Sequence, residues 1–181
     1  MGIVISIRTL RLAAMGLCGL AATSAAYAAP AITPGTARAE ISSSLSVLKT
    51  ADLEFGNIIA GPAAGTVVVN PYTDARTITT VTGAGGTVNA AKFTGIATPG
   101  SLAWVRWPTG NTILNRVGGG ATMIMDQLRV NSVFFVFGGV DPRIVPADGR
   151  LDIRFGGRLN VKANQMEGVY SGTFTITVDY Q

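Results

Sequence analysis

The sequence predicts an all-β fold, an antiparallel sandwich. Three observations predict it. Short runs rich in Val, Ile and Thr alternate between apolar and polar residues, the period of a half-buried strand. Glycine-rich joints separate these runs, and the chain holds 23 glycines. No helical periodicity extends beyond about two turns after residue 29. The 181 residues are 48% hydrophobic and only 13% charged, which suits one domain with a full core and excludes a disordered chain.

Residues 1–28 read as a secretory signal peptide. Arg8 and Arg11 give a positive start, Leu12 to Ala22 a short apolar run, and Ala26-Tyr27-Ala28 the small residues that place cleavage before Ala29. That run is too short for a comfortable membrane span, and no later stretch reaches that length, so no span is expected in the mature chain. The sole cysteine, Cys18, lies within this segment with Leu17 before it, which excludes a lipoprotein site and leaves the mature chain without a disulfide or thiol. Losing Arg8 and Arg11 takes the 14 basic residues to 12 against 10 acidic ones, a net charge of +2. These cations are scattered singly, so no nucleic-acid partner is expected.

Residues 29–40, with Pro30, Pro34 and Gly35, read as a flexible lead-in, and the sandwich domain as 41–181. Its first candidate strand, 41–49, sets Ile41, Leu45 and Val47 on one face. It is either the first strand of its own domain or a strand donated to another subunit. Further strands are expected over 66–70, 76–82, 87–96, 102–107, 111–117, 121–130, 133–137, 150–162 and 170–180. Gly83 to Gly86, Pro99-Gly100, Gly118 to Gly120, Gly138-Gly139 and Asp148-Gly149 mark turns between them. Gly156-Gly157 predicts a bulge or bend within its strand.

The C-terminal run alternates most cleanly. Tyr170, Gly172, Phe174, Ile176, Val178 and Tyr180 share one face, and Thr173, Thr175, Thr177 and Asp179 the other. With Gly168 ahead of it and the penultimate Tyr180, this ending resembles the last strand of chaperone–usher pilus subunits and of the spore coat U group. Leu53-Glu-Phe55-Gly56-Asn-Ile, Ala64-Gly65-Thr-Val67, Ala91-Lys-Phe93-Thr-Gly95, Met123-Ile-Met125 and Gly156-Gly157-Arg-Leu159-Asn-Val161 are similar to the domain-of-unknown-function 4402 family. This resemblance covers nearly the whole mature chain and implies export and an Ig-like, pilin-like sandwich. In pilins the last strand pairs first with a periplasmic chaperone, and the groove beside it later takes a strand from the next subunit. The expected partners are therefore the chain itself, as a homopolymer, and such a chaperone. Two features depart from pilins: no disulfide, and a lead-in whose only large apolar residue is Ile32.

Reactive chemistry is sparse. The chain has no His, which excludes His-based triads and His metal ligands. It has neither a Gly-x-Ser-x-Gly elbow nor a phosphate-binding glycine loop with Lys. Asp52 with Glu54, and Asp148 with Asp152, are the carboxylate pairs available for acid–base work or a weak Ca²⁺ site, and the plain reading of both is a solvated face or a turn cap. No cofactor is expected. In Leu102-Ala-Trp-Val-Arg-Trp, alternation points Trp104 and Arg106 one way and Trp107 the other. One Trp is then core, and the other sits beside the arginine as a possible ligand face. Phe134-Phe-Val-Phe137 reads as a strand buried on both faces. The functional expectation is a non-enzymatic exported protein in the periplasm, at the cell surface or outside the cell. It is a subunit of a pilus-like assembly built by strand pairing or, alternatively, a monomeric sandwich that binds a ligand such as a carbohydrate.

Overall fold

The computed structural model describes residues 46–132 and 138–181. The signal and lead-in segments, Ile41, Leu45 and the predicted strand 133–137 lie outside the described residues. Every regular element among those described is a β-strand. In order they are β1 (Ser46–Ala51), β2 (Glu54–Phe55), β3 (Ile58–Ile59), β4 (Gly65–Val69), β5 (Arg76–Thr79), β6 (Thr82–Gly83), β7 (Val88–Asn89) and β8 (Ala91–Ile96). Then follow β9 (Leu102–Arg106), β10 (Thr112–Arg116), β11 (Thr122–Val130), β12 (Val140–Ile144), β13 (Arg150–Val161), β14 (Tyr170–Ser171) and β15 (Thr177–Tyr180). No helix of the described residues is long and apolar enough to cross a membrane.

The strands form an antiparallel β-sandwich. The larger sheet runs β1-β8-β13-β11-β10-β14, with β4 and β5 added on β13; the smaller runs β12-β9-β15. Strand β13 is the spine. Its first half pairs β8, from Arg150↔Ile96 to Phe155↔Ala91, and its second half pairs β4, from Gly157↔Val69 to Val161↔Gly65. Leu151, Ile153, Phe155, Leu159 and Val161 all point inward and are buried. One core cluster joins the first half of β13 to β9 and β15 through Ala103, Val105, Trp107 and Val178. The other packs Val67, Val69, Met123 and Met125 under Phe55 and Val81.

The expected bulge at Gly156-Gly157 is not in β13, whose inward alternation continues through both glycines. The register shift falls on the facing strand, between Asp126 and Arg129 of β11, where Gln127 takes φ 50°. The glycines answer a different need. A Cβ on Gly156 would stand 2.1 Å from the Val69 carbonyl oxygen and 2.8 Å from Pro71 Cδ. This is where β13 passes from one neighbour to the next, and the backbones meet too closely for any side chain. Two other predicted strands divide. The run 76–82 breaks at Thr80, whose φ is 70°, and 87–96 breaks at Ala90, whose amide donates to Asp74 Oδ1 at 2.8 Å.

Strand β12 was not expected. Its sequence, Val-Asp-Pro-Arg-Ile, carries two charges and a proline, and its alternation is inverted. Asp141, fully buried, and Arg143 face the interior, whereas Ile144 is 64% exposed. Arg143 Nε donates to Asp141 Oδ2 at 2.6 Å and Ser132 Oγ to Oδ1 at 2.5 Å. The other guanidinium nitrogens donate to the carbonyls of Asp152 and Asn131. A buried carboxylate survives only when paired and fully hydrogen-bonded, and here its partner also ties β12 to the larger sheet.

Asp74 makes a second tie. Its Oδ2 lies 3.0 Å from Lys92 Nζ and 2.7 Å from Arg154 Nη2, joining the β4–β5 turn to β8 and β13. Burial alone raises its pKa, but the Ala90 amide, Arg154 and Lys92 outweigh this and bring it from 3.8 to about 2.

Gly156→Ala should cost about 3 kcal/mol or more in chemical denaturation, because rigid backbone meets the new methyl. Gly110→Ala, with nothing within 4 Å, should stay within about 0.5 kcal/mol. A depressed carboxylate pKa stabilises the fold above its unfolded value and loses that contribution as pH falls towards its folded value. Asp74→Asn should therefore cost on the order of 1–2 kcal/mol at neutral pH, with the gap to wild type closing between about pH 4 and pH 2.

Candidate functional site

The C-terminal run does not form one continuous strand. Tyr170 and Ser171 pair Arg116 and Asn115 of β10 in the larger sheet. Thr177 to Tyr180 pair Arg106 to Ala103 of β9 in the smaller one. The two ends are anchored in opposite layers, so the residues between them must cross the sandwich and leave both ladders. Residues 172–176 have no ladder partner among the described residues. Phe174 holds the crossing in place. It packs on both core clusters, with its ring edge-on to Phe93 at 6.4 Å and Phe155 at 6.0 Å. Tyr170 packs on one cluster, and Ile176, Val178 and Tyr180 on the other.

This crossing opens a groove of about 800 Å³, lined among others by Thr112, Ile113, Ser171, Thr173, Phe174 and Thr175. Its far wall is β10, whose pairing with the final strand stops at Asn115. Thr112 to Leu114 therefore keep an unpaired outer edge among the described residues. The groove closes at Gly172, where a Cβ would stand 2.6 Å from the Ile113 carbonyl oxygen. Two walls of unpaired main chain over an aromatic floor can accept an extended segment.

Gly168, ahead of the crossing, has φ 141°, and a Cβ there would stand 2.6 Å from Arg116 Nε. Only glycine both takes that conformation and leaves room for the guanidinium. At the other end, the Tyr180 hydroxyl enters a notch over Gly95, 2.8 Å from where a Cβ would sit. The hydroxyl is buried without a hydrogen-bond partner, and burial pushes its pKa up.

The remaining candidates disperse. The described part of the first predicted strand, with Val47, pairs β8 from Ser46↔Ile96 to Ala51↔Lys92, and so belongs to its own domain. Trp107 is buried, donates from Nε1 to the Leu128 carbonyl at 3.2 Å and meets Phe155 edge-on. Trp104 is half-buried on the outer face of β9, and beside it Arg106 pairs with Asp179. The three residues thus do not share a face. Asp52 pairs with Lys49, Asp148 caps the Arg150 amide, and Asp152 accepts from Thr94 and Arg150. No three acidic, His or Cys side chains among the described residues gather to hold a metal. The residues that sequence reasoning missed are Asp141, Arg143 and the free edge of β10. Only the inverted alternation of 140–144 could have signalled the first two.

The notch gives a coupled prediction. Gly95→Ala should cost about 1–3 kcal/mol by overpacking against the Tyr180 hydroxyl. Tyr180→Phe should be neutral or stabilising by up to about 1 kcal/mol, because it removes a buried unsatisfied group. The double variant should recover most of the Gly95→Ala loss in a denaturation cycle; additivity within about 0.3 kcal/mol would count against the notch.

No curated protein and no solved structure matches the chain. The family model that does match spans residues 45–180, from the residue before β1 to the penultimate Tyr180. With the groove, its closing glycine and the final strand all inside that span, the chain belongs to the family described as Domain of unknown function (DUF4402).

Proposed function

We propose that this protein is an exported, non-enzymatic subunit of a pilus-like or other cell-surface assembly built by strand pairing. The observation that carries this reading is the crossing 172–176, which faces the edge of β10 across the groove, both without a ladder partner there among the described residues. Water serves those main-chain groups in an isolated subunit, and an extended segment from another copy replaces it with ladder bonds. A periplasmic chaperone would hold the same groove before assembly. The N-terminal charge, apolar run and Ala-x-Ala site support export to the periplasm, the cell surface or beyond.

The contrast with β12 supports the reading. That outer strand carries Pro142, which offers no N–H, and inward-pointing Asp141 and Arg143, the devices by which sheets blunt an edge against pairing. The crossing carries Thr, Gly, Phe and Ile and no such guard. A second reading, a monomeric carbohydrate-binding domain, draws on the half-buried Trp104 beside the Arg106–Asp179 pair.

The test is export of the full chain in a bacterial host, followed by electrophoresis in SDS with and without heating. Strand-paired subunits should give ladders that collapse on boiling. Phe174→Asp should abolish them, though it also strikes the core. Thr173→Lys with Thr175→Lys changes only exposed positions, and should remove the ladders while leaving thermal unfolding within about 2 °C. A clean wild-type monomer, or ladders that persist in the lysine variant, would overturn the proposal.

A further inference from the structure

A second cleft, of about 590 Å³, lies at the turn between β10 and β11 and the loop that follows β13. It shares only Asn115 with the strand groove. Its walls are stitched together. Arg116 donates from Nε to the Glu167 carbonyl at 2.6 Å and from Nη1 to that of Gly119 at 3.1 Å. Gln165 donates to the Thr122 carbonyl and to the Tyr170 hydroxyl, which donates in turn to the Met166 carbonyl. The cleft is thus held in shape before any ligand arrives, which lowers the ordering cost of binding.

Its lining has one sign of charge. Arg116 and Lys162 line it, and no carboxylate does. Lys162 stands apart from the other described lysines. Lys49 and Lys92 are paired with Asp52 and Asp74, whereas the Lys162 ammonium has neither an ion pair nor a hydrogen bond among the described residues. The side chains of Asn115 and Asn164, which also line the cleft, are uncommitted in the same sense. Gln165 Oε1 is buried without a donor, an acceptor suited to an ordered water at the wall.

We infer that this cleft binds a carboxylate-bearing saccharide, such as a uronic acid unit. An unpaired ammonium and the free Nη2 of Arg116 take the carboxylate. Uncommitted amides, each both donor and acceptor, match sugar hydroxyls, which have the same dual character. The site is independent of strand pairing and would serve a monomer or an assembled subunit equally.

The test is calorimetric titration of the exported, folded protein with a short oligogalacturonate, the neutral oligogalactose and sodium sulfate. The acidic saccharide should bind, more weakly as salt rises, and neither of the others should match it. Lys162→Gln, an exposed change, should weaken binding by about tenfold or more, and Asn164→Gly, which keeps the φ of 49° at that position free of strain, by several-fold, with thermal unfolding unchanged. Absence of binding, equal affinity for the neutral sugar, or indifference to Lys162→Gln would overturn the site. Sulfate binding as tightly as the saccharide would reduce it to a bare anion site and overturn the sugar assignment. Ladder formation by the exported chain is read separately, so the two proposals fail independently.

Discussion

Phe155 is the residue on which the two layers depend. It is fully buried at the midpoint of β13, where that strand changes neighbours. Its ring meets Phe93 of β8, Trp107 just past β9 and Phe174 of the crossing, each edge-on at 5.4–6.0 Å. Edge-to-face packing places the positive rim of one ring on the negative face of the next. Such a cluster fixes orientation as well as distance, and here it sets where the final strand must cross. The crossing cannot slide towards either sheet without withdrawing Phe174 from both core clusters.

From that constraint comes the open groove. Strands that change layers give up their ladder partners over the distance between the sheets, and these main-chain groups turn to water or to another chain. Gly172 brings the crossing close to β10 at one end only, so the walls diverge from there. The fold thus treats its outer strands unequally. The edge of β12 is blunted by a proline and an internal ion pair, whereas the crossing keeps an alternating, uncharged sequence. Selection against aggregation alone would have guarded both in the same way.

The parts of the fold legible in the sequence are those governed by period-two burial. The strand cores of β4, β8, β9, β10, β11 and β13 fall within their expected runs, and the opposite orientations of Trp104 and Trp107 follow from alternation. The failures share a cause. Alternation says which side chains face together, but not which backbone lies alongside. The run 170–180 keeps perfect alternation through a change of sheet, so its division was invisible. Gly156-Gly157 suggested a bulge or bend in its own strand, but the register shift lies across the ladder at Gln127, and the glycines serve a close backbone approach that alternation does not encode. Strand β12 was hidden because Asp141 and Arg143 satisfy each other inside, which reverses the rule that charge marks the outer face.

The charged residues therefore act here as ties between elements more than as a solvating coat. In a chain with few charges, Asp74 with Lys92 and Arg154, and Asp126 with Arg158, join strands or turns distant in sequence, and Arg143, paired with Asp141 within its own strand, reaches out to the Asp152 and Asn131 carbonyls. Each pairing satisfies a carboxylate that burial alone would make costly. The same economy leaves the strand groove uncharged, which suits recognition by main-chain bonds, since these carry no sign and need only an extended partner. It also makes an uncommitted cation conspicuous. In a fold that neutralises its other described lysines, Lys162 lines a cleft already held in shape by its neighbours, which is the physical difference between a solvated charge and a binding group.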